Sequence, residues 1–327
     1  LMPDKNDAGV VRPVSQYALP YIAWRLKDVS RHDSRAVLTD MPSCGNCHSF
    51  STDGETLGMD IDGPGGDKGA YAVSPIERQM VIEGEELITW NDFADKPEGH
   101  RTFGFLSQIS PDGQHAISTV NESVYVVNFT DYRFLQVFYP TRGILAVYSR
   151  QTGEFAALPG ADDPDYVHCD PAWSPKGDWL VFARARAQDP QVEAMAAYAN
   201  DPIELQIQYD LYRIPFADGQ GGQPERIEGA SDNGMSNTFP KISPDGKWIV
   251  FAKCRNGQLM RPDSELWIVP AEGGDARRMT CNMPLTNSWH AGTPMNSWHS
   301  FSPNGRWMVL CNRIPCLRFG PSTLFTH

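Results

Sequence analysis

The sequence predicts an all-β fold, a β-propeller built from four-stranded blades. A turn of the form Ser-x-x-Gly recurs five times, at intervals of 59, 64, 69 and 59 residues. Alternating or continuous apolar runs of strand length follow most of these turns. The chain also contains 28 Gly and 26 Pro among its 327 residues, as a protein with many tight turns requires. A supersecondary unit repeated at a regular spacing is typical of propellers and solenoids.

The five turns share one chemistry. Where Pro stands second it presets φ, and the closing Gly accepts the positive φ that the turn demands. The turns are Ser51-Thr-Asp-Gly54, Ser110-Pro-Asp-Gly113, Ser174-Pro-Lys-Gly177, Ser243-Pro-Asp-Gly246 and Ser302-Pro-Asn-Gly305.

The runs after the turns are apolar at successive positions, so both faces of these strands are expected to be buried between neighbouring sheets. The clearest runs are Trp179–Phe182, Trp248–Phe251 and Trp307–Leu310. A further strand follows in most units, at Ala70–Val73, Leu145–Tyr148, Leu211–Ile214 and Glu265–Val269. Four short strands per unit make a propeller blade.

We expect an N-terminal arm at residues 1–19 and the propeller at 20–327. Two insertions interrupt the repeat, at 121–143 and 187–201, and the second contains a predicted short helix over Gln191–Ala199. Six blades are expected, with five as the alternative. A sixth blade would combine the predicted strands within 20–39 with the end of the chain, or use the insertion at 121–143.

The charge of the chain restricts its partners. Lys and Arg number 28 against 40 Asp and Glu, giving a net charge of −12. This balance argues against nucleic acid and anionic membrane surfaces, which select basic patches. No apolar stretch is long enough for a transmembrane helix. An acidic surface suits a soluble extracytoplasmic protein, or docking to a basic redox partner. We expect that a signal peptide has been removed.

The motif at 44–48, Cys44-Gly-Asn-Cys47-His48, predicts the cofactor. Cys-x-x-Cys-His is the attachment signature of c-type haem: two thiols form thioethers, and the His is the proximal iron ligand. The sequence therefore predicts one covalent haem c held by Cys44, Cys47 and His48.

Three other interpretations of this motif remain. A structural zinc site needs a second ligand pair, for which Cys311 and Cys316 are a distant candidate. A redox dithiol would be expected within a βαβ pattern, whereas the surroundings here predict strands. A plain disulfide is the third. If two of the seven cysteines carry haem, five remain. Because five is odd, at least one of them stays free or pairs between chains.

The second iron ligand is predicted from offsets to the turns. His299 and His48 each lie three residues before a turn Ser, so we expect both at the same level of the channel and rank His299 first as distal ligand. His168, six residues before Ser174 and predicted to lie in the loop that enters the innermost strand, is the second candidate. Met59 and His115 align with core positions of other repeats and are predicted to be structural. The segments that carry His100, His168, Asn237 and His299 are expected to approach the same mouth of the channel, and His290 is placed in the corresponding loop of the last unit.

The repeats resemble those of the TolB-like six-bladed β-propellers. The resemblance covers nearly the whole chain and is carried by Pro171-Ala-Trp-Ser-Pro-Lys-Gly177 and Phe239-Pro-Lys-Ile-Ser-Pro-Asp-Gly246 with the strands that follow. The chain looks most like a subgroup of bacterial TolB-like proteins that carries Cys-x-x-Cys-His at one blade. The resemblance implies the fold and secretion more than an activity.

Three functions are therefore compatible with the sequence. The first is a secreted c-type haem protein for electron transfer, working with a redox partner protein or a larger cytochrome complex. The second is a haem enzyme whose open iron site accepts a small molecule. The third is a propeller that serves interaction or assembly and whose haem is structural.

Overall fold

The computed structural model describes residues 21–28, 30–39, 45–129, 136–189, 196, 198–282 and 295–311, together with three short terminal strands. Strands β1 (Met2–Pro3) and β2 (Val11–Arg12) pair with each other inside the predicted N-terminal arm. Strands β3 (Trp24–Leu26) and β4 (Arg35–Leu38) form an antiparallel hairpin. Both predicted strands of the 20–39 region are thus present.

The strands that follow form five units in chain order, which we call the first to the fifth blade. A single parallel pairing, Gly143 with Val167, joins the second and third blades into one eight-stranded sheet. The first contains β5 (Gly45–Phe50), β6 (Thr56–Ile61), β7 (Ala70–Pro75) and β8 (Leu87–Thr89). The second contains β9 (Phe105–Ile109), β10 (His115–Asn128), β11 (Gln136–Ser149) and β12 (Glu154–Ala157). The third contains β13 (Tyr166–Trp173), β14 (Trp179–Arg186), β15 (Asp210–Pro215) and β16 (Glu225–Arg226).

The last two blades complete this series. The fourth contains β17 (Ser236–Ile242), β18 (Trp248–Cys254), β19 (Glu265–Pro270) and β20 (Arg277–Arg278). The fifth contains β21 (Ser297–Phe301), β22 (Trp307–Cys311) and β23 (Leu324–Thr326). Within the described ranges the helical segments are 3-10 turns at Pro64–Gly66, Gly84–Glu86, Trp90–Asp92, Ala217–Gly219 and Thr280–Asn282.

The blades pack face to face in chain order. Val181 and Ala183 of the third blade are buried against Ile249 and Phe251 of the fourth. The opposite face of the fourth blade packs on the fifth, and equivalent apolar clusters join the first blade to the second and the second to the third. Strands buried on both faces explain why the runs after the turns are apolar at successive positions. The prediction of an all-β propeller is confirmed.

The β3–β4 hairpin covers the outer face of the first blade. Leu38 is buried there with Leu57 and Met59, and Trp24 packs against the same cluster. Met59 is fully buried, as its alignment with core positions predicted. The hairpin therefore lies where a blade preceding the first would stand. The expected total of six blades and the single propeller domain at 20–327 stay predictions.

The five Ser-x-x-Gly turns occupy equivalent places, each joining the first strand of a blade to the second. In every turn the Gly N–H donates to the Ser carbonyl, at 2.8–3.0 Å. The Ser hydroxyl accepts from the backbone N–H five residues later, at 2.9–3.2 Å. The five glycines have φ between 66° and 76°, a region that suits Gly. The repeated Ser and Gly are therefore explained by backbone hydrogen bonding.

The insertion at 121–143 continues β10 and β11 beyond the blade as a long hairpin, whose residues 130–135 lie outside the described part. Tyr139 donates its hydroxyl to the Leu205 carbonyl at 2.8 Å, and Tyr209 donates to the Pro140 carbonyl. These contacts attach the hairpin to the third blade. Of the predicted helix Gln191–Ala199, residues 191–195 and 197 lie outside the described residues, and 198–200 form a bend and turn.

Candidate cofactor site

Each blade's first strand carries a β-bulge at the same place. The pairing register shifts around two residues that lie four and three positions before the turn Ser. The bulged pairs are Cys47-His48, Leu106-Ser107, Asp170-Pro171, Phe239-Pro240 and Trp298-His299. Pro fits at two of them because a bulged residue need not donate to the ladder. The last two residues of the haem motif are thus the bulge of the first blade.

The first residue of every bulged pair has a left-handed backbone. The φ values are 50° at Cys47, 56° at Leu106, 54° at Asp170, 50° at Phe239 and 49° at Trp298. A non-glycine residue with positive φ is uncommon, and five at one repeated position make it a feature of the blade. Because bulges redirect side chains out of the pleat, these residues can face the channel.

The bulges of the first, second, fourth and fifth blades contribute to the wall of a cavity of about 530 Å³. Its lining includes the bulge residues Cys47, His48, Leu106, Phe239, Trp298 and His299. The structure therefore brings His48 and His299 to one cavity, as their equal offset predicts. Cys44 lies outside the described residues.

Aromatic rings cover much of the wall. Trp24 reaches the cavity from the β3–β4 hairpin and Phe138 from the long hairpin. The Trp24 ring meets His48 edge-on, with centroids 4.2 Å apart, and Phe138 lies 6.2 Å from Trp298. Sequence reasoning missed both residues because they reach the cavity only through tertiary packing.

His48 has an exposed side chain at the cavity wall. Partial removal of water from the ring, followed by repulsion from Lys241, lowers the pKa of His48 below its usual value. The imidazole is therefore neutral near pH 7, the form that binds a metal. Phe50, two residues later, contacts the same ring at 5.4 Å.

His299 is almost fully buried, with 1% of its surface exposed. Its Nε2 lies 2.9 Å from the Val250 carbonyl, so Nε2 carries the proton and donates it. The other ring nitrogen, Nδ1, is buried without a hydrogen-bond partner in the described part of the chain. Burial lowers the pKa of His299 to about 3. Nδ1 thus carries no proton, and its lone pair could bind a metal. A metal-binding His usually donates its other ring N–H to a carboxylate, a backbone carbonyl or water, as Nε2 does here.

His168 lies elsewhere. It belongs to β13, not to the loop before that strand as expected, and its ring packs against Phe182 at 5.6 Å. Burial lowers its pKa to about 3. His168 is not among the side chains that line the cavity. The same holds for His100 and Asn237, and His290 lies outside the described residues.

His115 has the structural place predicted for it, with its ring 5.1 Å from the Phe216 ring.

Two cysteines of the fourth blade form no disulfide with each other: Cys254, at the end of β18, and Cys281, which follows β20. The Cys254 thiol donates to the Asn256 carbonyl at 3.3 Å, and burial raises its pKa to about 12.

Lys241 is a polar member of the lining that sequence reasoning missed. It stands two residues before Ser243, where the other blades carry Ser49, Gln108, Ala172 and Ser300. Behind it, Asp170 accepts hydrogen bonds from the Phe239 N–H at 2.9 Å and from Gln258 Nε2 at 3.0 Å. Aligning the bulge positions of the five blades would have revealed Lys241 as the one cation at this level.

These residues fit a haem c. A volume of 530 Å³ falls within the range of cofactor pockets, ~300–1,000 Å³. The thiol of Cys47 and the imidazole of His48 lie on the cavity wall. His299 lines the same cavity, and its buried Nδ1 has no hydrogen-bond partner among the described residues. Among the described residues, no cluster of three or more His, Cys, Asp or Glu side chains could hold a metal ion.

Comparisons with known proteins support the fold alone. No family model matches the chain. An uncharacterised protein of Agrobacterium fabrum is 24% identical over 215 residues, which cover 63% of this chain and 56% of that protein. The chain thus matches little more than half the length of this relative.

Among solved structures, a protein assigned as TolB from Agrobacterium tumefaciens matches 90% of this chain and 80% of its own, with a TM-score of 0.55 at 17% identity. TolB from Acinetobacter baumannii matches 87% of this chain and 52% of its own, with a TM-score of 0.48 at 15% identity. The chain is accordingly a β-propeller whose fold is similar to TolB. In the described part of the chain, no helix has the length and apolar character needed to span a membrane.

Proposed function

We propose that this protein is an extracytoplasmic c-type haem protein whose role is electron transfer. The observation that carries the proposal is the position of Cys47 and His48 on the bulge of an innermost strand, at the wall of a cavity that also contains His299. Cys44 would supply the second thioether, and His48 the proximal imidazole. The cofactor would supply a one-electron couple.

Two imidazoles of the chain could hold the iron of a haem. His48 offers a neutral ring at one part of the wall, and His299 offers a buried Nδ1 whose tautomer is set by the Val250 carbonyl. Trp24, Phe138 and Trp298 would exclude water from the apolar faces of the ligand. Two imidazoles would favour electron transfer over small-molecule chemistry, because neither axial position stays open. The net charge of −12 suits a basic redox partner or a larger cytochrome complex.

A second candidate is a haem enzyme with an open iron site. Gln108, Lys241 and Ser300 place polar groups at the same cavity, where they could orient a small molecule. Carbon monoxide distinguishes the candidates: rapid binding to the reduced protein favours an open site, and slow or absent binding favours His299 as ligand.

The proposal is tested on the full chain, exported from a host that attaches c-type haem. The protein should show a haem spectrum that persists after acid–acetone extraction of the denatured chain. Cys47→Ser should leave at most one thioether, and His48→Ala should abolish the proximal bond. Cys311→Ser removes an exposed thiol that does not line the cavity and serves as the control.

Complete extraction of the haem from the wild-type protein, or its absence from that protein, would contradict the proposal. The third function, an interaction propeller with a structural haem, would be favoured by a covalent haem that forms a stable partner complex without redox turnover.

A further inference from the structure

The cavity contains a single formally charged side chain, and it is a cation. Among the residues that line it, Lys241 is charged and no Asp or Glu is present. Its Nζ lies 4.5 Å from the centre of the Phe239 ring, so an aromatic face already contacts the ammonium. In a chain with a net charge of −12, this is a local site for an anion.

The nearest acid does not neutralise this cation directly. Asp170 raises the pKa of Lys241. Within the described part of the chain, however, Lys241 forms no ion pair with an N···O distance of 4.0 Å or less. The Asp170 carboxylate instead accepts from Phe239 and Gln258. Burial is the larger influence and lowers the pKa of Lys241 to about 8. A half-buried ammonium without an ion pair is unfavourable, and a carboxylate from the occupant would relieve this.

The rest of the wall selects the body of that occupant. The aromatic part of the wall consists of Trp24, Phe138, Phe239 and Trp298. Its neutral polar groups belong to Gln108 and Ser300. A cavity of about 530 Å³ with aromatic walls and one cation suits a flat apolar ligand that carries a carboxylate.

We propose that Lys241 is the carboxylate anchor of the cavity: its ammonium pairs with a carboxylate of the occupant. Under the proposed function, on which this part rests, the carboxylate is a haem propionate. The alternative source is a free aromatic carboxylate from solution. Lys241 is then a positioning residue that sets the local charge, and not an iron ligand.

The test compares wild-type protein with Lys241→Met, which keeps the apolar stem, and Lys241→Arg, which keeps the charge. Lys253→Met is the matched control. Lys253 belongs to the same blade and its Nζ lies 4.2 Å from the Trp267 ring, but it does not line the cavity. Each full-length protein is examined in two ways: by potentiometric titration of any bound haem, and by tryptophan fluorescence during titration with benzoate.

If the occupant is haem, Lys241→Met lowers the reduction potential and benzoate has no effect, because loss of a cation disfavours the added electron. If the protein carries no haem, the proposed function fails, and benzoate should quench wild-type fluorescence with at least tenfold weaker binding in Lys241→Met. Lys241→Arg and Lys253→Met should resemble wild type in either case. A Lys241→Met protein that matches wild type in both potential and benzoate binding would overturn the inference.

Discussion

The buried Arg261–Glu204 pair gives the sharpest stability prediction. Arg261 and Glu204 side chains are 6% and 1% exposed. Arg261 Nη1 donates to Glu204 Oε1, while Nη2 donates to Glu204 Oε2 at 3.2 Å and to Asn200 Oδ1 at 3.1 Å. The pair thus connects the segment that precedes β15 to the loop that follows β18. Removing one partner leaves the other charge buried and unpaired.

Arg261→Met should therefore lower the free energy of unfolding by about 3–5 kcal/mol, the range for breaking a buried ion pair from one side. Urea denaturation measures this loss, and adding Glu204→Gln should recover part of it because the unpaired carboxylate is then gone. Arg255→Met is the control, since Arg255 Nε lies 3.9 Å from Asp263 Oδ2 and its side chain is 85% exposed. That exposed pair should contribute little. A loss below ~1 kcal/mol in Arg261→Met would refute the reasoning.

Two further predictions concern the iron ligand and pH. His299→Ala should convert a low-spin haem spectrum to a high-spin one while the haem is retained. His168→Ala should leave the spectrum unchanged, because His168 does not line the cavity. An unchanged spectrum in His299→Ala would refute the assignment of His299 as iron ligand. Burial raises the pKa of Asp60 from 3.8 to about 8, against opposing hydrogen bonds from Ser107. The folded state thus holds this proton more tightly than the unfolded chain does. The free energy of unfolding should therefore fall as the pH rises from 4 to 8, by up to about 1.4 kcal/mol per pH unit. Asp60→Asn should flatten this slope in denaturation at pH 5 and pH 8, and parallel slopes in both proteins would disprove it.

The repeat was predictable because its signals are local. Ser and Gly of each turn form hydrogen bonds within a few residues, so their pattern appears directly in the sequence. The apolar runs likewise report burial on both faces. The offset of His48 and His299 from their turns led to the shared cavity for the same reason.

The remaining parts of the site depend on pairing and packing. The bulge at Cys47-His48 is defined by the register between β5 and β6, which the sequence of β5 alone does not contain. His168 was expected in a loop, but β13 begins at Tyr166 and so includes it. Trp24 and Phe138 come from two hairpins far apart in sequence, and only the folded chain brings both to the cavity.

Mass spectrometry of the peptide that spans Cys44 to His48 tests the central claim most directly. The full chain is exported in a host that attaches c-type haem, digested, and analysed after alkylation of its free thiols. The account predicts a peptide heavier by one haem, with neither Cys44 nor Cys47 alkylated. A peptide without haem, alkylated at Cys47 while a known c-type cytochrome from the same cells is fully matured, would contradict it.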